Sequence, residues 1–260
     1  MTLPAKSPHA GRVTADSTEA ACEAIEERPV EAAPRRHNPL AYQGGRPDIV
    51  RHLRGPRRVL DVGCNGGAVA RQIRERDPNA RVWGIEWNVD ALAAAEPVLE
   101  AGFRVDLEDR EALRAALRGL TFDAVIAGDV LEHLSDPWGV LEDLFRHVAA
   151  GGVVLISLPN VGRWELIAHL ARQRWPVEDR GVFDRTHRRF FMKNDLPGLA
   201  PAGGRLRILA RNYRIRERGR GRADRFLLPV LRRIPRLREL FVFQYILEVR
   251  READAGGPAC

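Results

Sequence analysis

Cysteine and long apolar runs are scarce in this chain of 260 residues, and each scarcity excludes a class of protein. The three cysteines, Cys22, Cys64 and Cys260, lie far apart, which indicates neither a disulfide framework nor a zinc site. No apolar run reaches the roughly 18 residues that a membrane-spanning helix needs. The N-terminal segment also lacks the apolar core of a signal peptide, so we expect a cytoplasmic protein.

Composition divides the chain into three parts. Residues 1–36 are rich in alanine, glutamate and proline and are predicted to be a disordered leader. Residues 37–250 are long enough to bury the core of one domain, and residues 251–260 are predicted to be a disordered tail.

The positive charge is concentrated in one segment. The formal net charge is +7, and lysine occurs only at positions 6 and 193. The segment from Arg211 to Arg238 contains eleven arginines and only two acidic residues, Glu217 and Asp224, so its net charge is +9. The rest of the chain is therefore close to neutral, with a balance of −2.

Apolar periodicity predicts alternating strands and helices. The predicted strands are 58–63, 81–86, 103–106, 122–127, 153–158, 206–215 and 241–249. The predicted helices are 45–54, 68–76, 90–99, 110–117 and 137–149. Strands separated by helices indicate an α/β fold with a doubly wound, mainly parallel sheet, and the last two strands are expected to close that sheet in antiparallel fashion.

A glycine turn after the first strand indicates a ligand site. Asp61, Gly63, Cys64, Asn65 and Gly67 lie between the strand and a predicted helix. A dinucleotide fingerprint would need glycine at both 65 and 68, and neither position is glycine. Glycine lets a ligand approach the backbone closely, and the acidic residue favours a ligand that carries a positive charge. Asparagine at position 65 tolerates a positive φ angle.

The segment 57–67 resembles motif I of the class I S-adenosylmethionine-dependent methyltransferases. The resemblance implies a seven-stranded sheet, a methyltransferase domain over 37–250 and S-adenosylmethionine as cofactor, whose α-ammonium suits the Asp61 carboxylate. Gly63, Cys64, Asn65 and Gly67 would form the rest of the cofactor turn. Cys64 is interpreted as a packing residue and not as a nucleophile.

Further candidate cofactor residues lie at the ends of later strands. By the same resemblance, Glu86 would accept hydrogen bonds from the ribose hydroxyls, and Asp106 would hold the adenine amino group. Trp87 would stack on the adenine or, alternatively, pack under a helix. Gly128 would lie beside the methyl-transfer centre.

Residues 122–137 resemble motif IV of the same family and the segment that follows it. Methyl transfer to a hydroxyl needs an acceptor held at attack distance and a group that takes the proton. His133 is the natural candidate base because histidine titrates near neutrality. Asp129 and a second histidine, His187, complete the candidate catalytic set.

Asp129, Glu132 and His133 follow the spacing i, i+3 and i+4, which predicts that one helical turn presents all three on one side. The small-RNA 2′-O-methyltransferases and the ubiquinone-pathway O-methyltransferases hold a divalent ion on a similar Glu-x-x-Glu-His and a distant histidine. This resemblance implies a Mg²⁺ site at Asp129, Glu132, His133 and His187, which would lower a hydroxyl pKa. Alternatively, Glu132 and His133 brace the loop without a metal.

The region 159–200 is the expected acceptor cap. It contains five aromatic residues among many arginines, Trp164, Trp175, Phe183, Phe190 and Phe191. It resembles a bacterial subgroup found in cell-surface glycan and secondary-metabolite pathways, which implies a small-molecule, sugar or lipid-linked acceptor. The alternative is that these aromatics belong to the core.

Three alternatives remain for the arginine-rich insertion, 211–240, in which Pro229 and Pro235 are expected to break a continuous helix. It can form a lid with solvated arginines, rest on an anionic membrane surface, or bind phosphates of RNA or of a nucleotide-linked substrate. No nucleic-acid module is recognisable, so RNA ranks last.

The sequence thus favours an S-adenosylmethionine-dependent O-methyltransferase. A metal-assisted RNA 2′-O-methyltransferase and a non-catalytic S-adenosylmethionine-binding partner protein remain as alternatives. The acceptor and the oligomeric state are not determined by the sequence.

Overall fold

A computed structural model describes residues 44–214, 222–231 and 233–252. The predicted leader, 1–36, lies outside the described residues, as does most of the predicted tail. Arg251 belongs to the last strand, so the predicted start of the tail at residue 251 is wrong: backbone pairing of Arg251 with Gly204 extends the sheet to this residue.

One seven-stranded sheet forms the centre of the fold. Its strands are β1 Arg58–Val62, β2 Arg81–Glu86, β3 Ala101–Arg104, β4 Phe122–Gly128, β5 Val148–Pro159, β6 Gly204–Tyr213 and β7 Val242–Arg251. The spatial order is β3-β2-β1-β4-β5-β7-β6. The pairs among β1 to β5 are parallel, and β7 pairs antiparallel with β5 and β6. The predicted doubly wound sheet with an antiparallel end is confirmed.

Eight α-helices connect or flank the described strands. They are α1 Pro47–Val50, α2 Ala68–Arg76, α3 Val89–Ala95, α4 Arg110–Ala116, α5 Pro137–Arg146, α6 Trp164–Leu170, α7 Arg222–Leu231 and α8 Pro235–Arg238. Short 3₁₀ helices cover Glu96–Val98, Leu131–His133, Leu196–Leu199 and Glu239–Phe241. The predicted helix 45–54 is thus only one turn long, since Gly55 and Pro56 follow it.

Side-chain caps explain where three helices begin. Asn88 accepts the backbone N–H groups of Asp90 and Ala91 at 3.0 Å each. Asp109 and Asp136 accept a backbone N–H in the same way. Each cap satisfies a donor that the first helical turn leaves without an intrahelical partner.

Tertiary pairing moves two predicted boundaries. The third strand was expected at 103–106, but β2 pairs in register with Ala101–Arg104. The fifth strand was expected to start after Gly152, but it starts at Val148, which pairs with Phe122. This early pairing ends α5 at Arg146, three residues before the predicted end.

The sheet is buried on both faces, as a parallel sheet requires. One cluster, which includes Leu60, Phe122 and Leu144, packs between the sheet and the side that carries α4 and α5. A second cluster, which includes Ile49, Ile73 and Leu155, lies on the side of α1 and α2.

The prediction for Pro229 is wrong, because this residue lies inside α7. It is two residues from the helix end, so the helix stops soon after the residue that cannot donate a backbone hydrogen bond. Pro235 occupies the first turn of α8, where a missing N–H costs nothing. None of the helices in the described ranges has the length and apolar character that crossing a membrane requires.

Candidate active site

The order of strands reverses between β1 and β4, and the candidate site lies at their carboxyl ends. Open α/β sheets bind ligands in the crevice at such a switch point. The turn 63–67 after β1, the ends of β2 and β4 and the end of β5 meet here.

The glycine turn has the backbone geometry that its sequence predicts. Gly63, Asn65 and Gly67 have φ angles of 69°, 45° and 76°, all in the left-handed region. A Cβ atom on Gly63 would lie 2.9 Å from Val130, and one on Gly67 would lie 2.8 Å from Val98. Gly67 therefore lacks a side chain both for its conformation and for the close packing of α2 on α3.

Gly67→Ala is expected to destabilise the protein by about 2–4 kcal/mol, because left-handed strain of about 1–2 kcal/mol is combined with overpacking against Ala95 and Val98. Gly119→Ala is the matched control, since Gly119 has a φ angle of 75° and no atom within 4 Å of the added Cβ. Urea unfolding of both variants measures the difference. Equal losses would show that packing at Gly67 contributes nothing.

Glu86 connects the turn to β2. Its carboxylate accepts the backbone N–H of Asn65 at 3.0 Å and that of Asn88 at 2.9 Å. The residue is only 8% exposed, so its charge is held at the strand end by oriented amides. Trp87, next to it, is 56% exposed, as a side chain available for stacking would be.

Asp61 is buried in the same place. Among the described residues, none donates a hydrogen bond to its Oδ2. Burial, and to a lesser extent the nearby charge of Glu86, raises the pKa of Asp61 to about 7. A buried carboxyl with an unsatisfied oxygen needs a donor, preferably a cationic one.

The remaining candidate cofactor residues lie at or just after the ends of β1, β3 and β4. Cys64 is buried against Gly84, and burial raises the pKa of its thiol, which supports a packing role. Asp106 is exposed two residues beyond β3 and accepts the N–H of Glu108 at 3.0 Å. Gly128 ends β4, and a Cβ atom there would lie 3.4 Å from the Arg46 guanidinium.

Arg46, just before α1, was not predicted as a site residue. Its Nη1 donates to Asp129 at 2.6 Å, and its Nε donates to Asp48 at 3.0 Å. Burial alone would lower the pKa of Arg46, but the carboxylates of Asp129 and Asp48 outweigh this effect and raise it. No sequence signal distinguishes this arginine from the many others, because its role depends on contact with β4.

Asp129 lies at the centre of this polar network. Its Oδ1 accepts hydrogen bonds from the Ser157 hydroxyl and the Gln244 amide, both at 2.7 Å. Its φ angle of 56° lies in the left-handed region, so Asp129 does not belong to a regular helical turn. The 3₁₀ helix Leu131–His133 begins two residues later. The prediction that one turn presents Asp129, Glu132 and His133 together is therefore wrong, since Asp129 lies outside that turn and pairs with the half-buried Arg46.

The structure does bring Glu132, His133 and His187 together. One possible ligand atom from each residue lies within 4.8 Å of those of the other two. The two imidazole rings are 4.8 Å apart, centre to centre, and meet edge to face. Three of the four predicted metal ligands thus form a cluster, and Asp129 is not part of it.

Burial sets the charge state of this cluster. Glu132 is 1% exposed, and burial followed by the charge of Asp129 raises its pKa well above the ordinary value. Burial lowers the pKa of His187, which keeps this ring neutral near pH 7. Among the described residues, none donates a hydrogen bond to Glu132 Oε2. The cluster can accept a proton or bind a cation.

Four of the five aromatic residues in the predicted cap fall into two groups, and Trp164, at the start of α6, is half-buried. Phe183 and Phe191 are buried in apolar clusters. Trp175 and Phe190 are 52% and 43% exposed, with ring centres 5.4 Å apart. The first pair therefore stabilises the region 159–200, and the second offers an apolar surface to solvent.

Residues 60–154 match a protein family described as "Methyltransferase domain". This matched region runs from β1 into β5 and contains the glycine turn, Glu86 and the segment 122–137. The chain carries a class I methyltransferase domain. The family predicted from motif I is thereby confirmed.

Curated relatives resemble this chain over part of its length. The ubiquinone biosynthesis O-methyltransferase of Ralstonia nicotianae is 33% identical over 153 residues, which cover 57% of this chain and 62% of the relative. The chain spans less than two thirds of the length of the curated relatives described by that name.

Solved structures share the fold of the methyltransferase domain. An S-adenosylmethionine-dependent methyltransferase from Archaeoglobus fulgidus matches with a TM-score of 0.52 and 17% identity, over 78% of this chain and 90% of the other. The plantazolicin methyltransferase BpumL, in complex with a monoazolic desmethylPZN analogue and SAH, matches with a TM-score of 0.51 and 15% identity, over 78% of this chain and 79% of the other. At these identities the likeness shows the fold alone.

Proposed function

We propose that this protein is an S-adenosylmethionine-dependent O-methyltransferase that acts on a small molecule. The observation that carries the proposal is the buried Asp61 carboxyl, whose Oδ2 lacks a donor among the described residues and which adjoins a left-handed glycine turn. The methyltransferase relatives support the same activity.

The residues present fit the cofactor. Asp61 would accept the α-ammonium group, and Glu86 would face the ribose hydroxyls at the end of the adjacent strand. Arg46 supplies a cation next to Gly128, where it suits the carboxylate of the same amino-acid group. The predicted roles of Trp87 and Asp106 at the adenine remain part of this proposal.

S-adenosylmethionine supplies a methyl group on a sulfonium, which is already activated for in-line displacement. The chain must then hold the acceptor oxygen in line and remove its proton. His133 and His187 lie beyond the end of β4 and are proposed to serve the acceptor hydroxyl. The carboxylate of Asp129 already accepts hydrogen bonds from Arg46, Ser157 and Gln244, so it is proposed to orient Arg46.

A divalent metal would fit the cluster of Glu132, His133 and His187. Two neutral imidazoles and a carboxylate are common ligands of divalent metals, and a cation would supply the opposite charge that buried Glu132 lacks. When bound, it would lower the pKa of an acceptor hydroxyl. Mg²⁺ at this cluster stays a prediction, without Asp129 as a ligand.

Calorimetric titration with S-adenosylmethionine and S-adenosylhomocysteine, with and without Mg²⁺, tests the proposal. Micromolar binding of both supports it, and failure of both to bind would overturn the cofactor assignment. An effect of Mg²⁺ that His187→Ala abolishes would support the metal site. Activity insensitive to chelation and to this variant would exclude it.

Cofactor affinity is expected to rise with pH in a way that depends on Asp61. The α-ammonium needs the ionised carboxylate, but with a pKa of about 7 this group is mostly protonated at pH 6. Affinity should therefore increase about eightfold from pH 6.0 to 7.5, and nearly one proton should be released per cofactor bound at pH 6.

Calorimetry in buffers of different ionisation enthalpy measures this proton release. Asp61→Asn should bind the cofactor weakly and without the pH slope. A slope that persists in this variant would assign the titration to another group.

An acceptor cap over 159–200 and a small-molecule, sugar or lipid-linked hydroxyl as acceptor remain proposals. The exposed Trp175–Phe190 pair supports an apolar component of the acceptor. Acceptor preference should shift toward less apolar compounds when both residues are replaced by serine.

Contact of the segment 211–240 with an anionic membrane surface also remains a proposal. Phe226, Leu227 and Val230 of α7 are 52–67% exposed, which is consistent with contact to lipid. Sedimentation with anionic but not with neutral vesicles would support it, and no sedimentation with either would exclude it.

Two other results would favour the alternative functions. RNA binding with a steep salt dependence would favour an RNA 2′-O-methyltransferase. Cofactor binding without turnover on any acceptor would favour a non-catalytic partner protein.

A further inference from the structure

The hydroxyl of Thr186 lies between a carboxylate and the candidate base. Its Oγ1 is 2.7 Å from Asp184 Oδ1 and 3.0 Å from His133 Nδ1. Asp184 Oδ1 also accepts the backbone N–H of Thr186 at 2.8 Å. Asp184 is only 7% exposed, so this acceptor is shielded from solvent.

The directions of these hydrogen bonds follow from the number of protons. A carboxylate accepts and does not donate, so the single hydroxyl hydrogen of Thr186 points to Asp184. The hydroxyl oxygen can then only accept from His133, whose Nδ1 must carry the proton. The neutral ring therefore has its lone pair on Nε2.

We propose that Asp184 and Thr186 are positioning residues that hold His133 as the Nδ1–H tautomer, which places the lone pair on Nε2, the atom that would serve the acceptor hydroxyl or a bound metal. This inference rests on the proposed methyltransferase function and extends it to two residues outside motifs I and IV. A second group that fixes the tautomer of a base or metal ligand is a general requirement of such sites.

His187 has the same tautomer, but a different partner fixes it. Its Nδ1 lies 3.2 Å from the backbone carbonyl of Val182, which can only accept. Both histidines thus place their lone pairs on Nε2, and both belong to the cluster with Glu132. Because His187 depends on backbone and His133 on a side chain, the two can be separated by mutation.

The segment that carries Thr186 is anchored independently of its hydroxyl. The backbone N–H groups of Arg188 and Arg189 donate to the carbonyl of Glu132 at 2.8 and 3.0 Å. The Arg189 side chain also donates to the Ser135 carbonyl at 2.8 Å. Removal of the hydroxyl should therefore change the tautomer of His133 without releasing the segment.

Nitrogen-15 NMR of histidine-labelled, metal-free protein at pH 8 tests the inference. His133→Gln assigns the signal of His133, and His187→Gln assigns that of His187. In the wild type we expect Nδ1–H for both rings. Thr186→Val should convert His133 to a mixture of tautomers, Thr186→Ser should restore the wild-type pattern, and His187 should remain unchanged in both variants.

Two results would overturn the inference: an Nε2–H tautomer of His133 in the wild type, or an unchanged His133 pattern in Thr186→Val. The wild-type spectrum alone decides the first, even if a variant fails to fold. This measurement needs neither cofactor nor acceptor. If the NMR result contradicts the expected tautomer but the wild type binds the cofactor, only this inference is wrong. If the wild type does not bind the cofactor at all, the proposed function is wrong.

Activity provides the second measurement. Thr186→Val should lower kcat by about 10- to 100-fold, the usual effect of removing an outer partner, and leave KM for the cofactor unchanged. Thr186→Ser should recover most of the loss. Equal kcat in all three proteins would also overturn the positioning role.

Discussion

Glu86→Ala is expected to weaken binding of S-adenosylmethionine by about 100-fold or more. Each hydrogen bond from a ribose hydroxyl to a carboxylate contributes at least about 1.5 kcal/mol to the binding free energy. Two of them contribute about 3 kcal/mol, which corresponds to slightly more than a 100-fold change in affinity. The carboxylate also holds the backbone amides of Asn65 and Asn88, so its loss would loosen the turn as well. Calorimetric titration measures the effect.

Glu100→Ala is the matched control. Glu100 is an exposed acid at the opposite end of the sheet, where it forms an ion pair with Arg81. This variant should bind the cofactor like the wild type. Wild-type affinity in Glu86→Ala would refute the ribose assignment, and a far-ultraviolet circular dichroism spectrum distinguishes a local loss from unfolding.

His133→Gln is expected to lower kcat by about 10²- to 10⁴-fold, the usual contribution of a general base. Glutamine retains a polar group of similar length but accepts no proton at neutral pH. The half-buried ring lies next to His187 and outside the glycine turn, so the cofactor affinity should stay within about twofold. Transfer of a labelled methyl group to the acceptor measures kcat.

His52→Gln serves as the control, because His52 follows α1 and lies near the start of β4, at the opposite end of the sheet. Its activity should equal that of the wild type. Full turnover in His133→Gln would assign proton removal to His187 or to solvent. A parallel loss of cofactor affinity would instead indicate a role in binding.

The sequence predicts those parts of the fold that local pattern determines. The helix Ala68–Arg76 and the strand Arg81–Glu86 have the predicted bounds because the apolar spacing and the glycine turn lie in the same short segment. Pro78, which cannot continue a helix, also follows Arg76 closely. The third strand is displaced by two residues, since its ends depend on register with β2.

The same division applies to the candidate site. Asp61, Gly63, Gly67 and Glu86 could be named from the sequence, because the carboxyl ends of consecutive parallel strands meet at one edge. Arg46 and Gln244 could not be named, since they come from opposite ends of the described chain and reach the site only through contacts with Asp129.

By itself, the sequence determined the parallel sheet, the left-handed turn and the acids at the strand ends, because these follow from short-range sterics and apolar periodicity. Only the tertiary structure decided where the buried polar groups point. A buried charge or hydroxyl must find a partner of opposite kind, and that partner usually belongs to another element. Arg46 therefore determines the direction of Asp129, and Asp184 acts on His133 through Thr186.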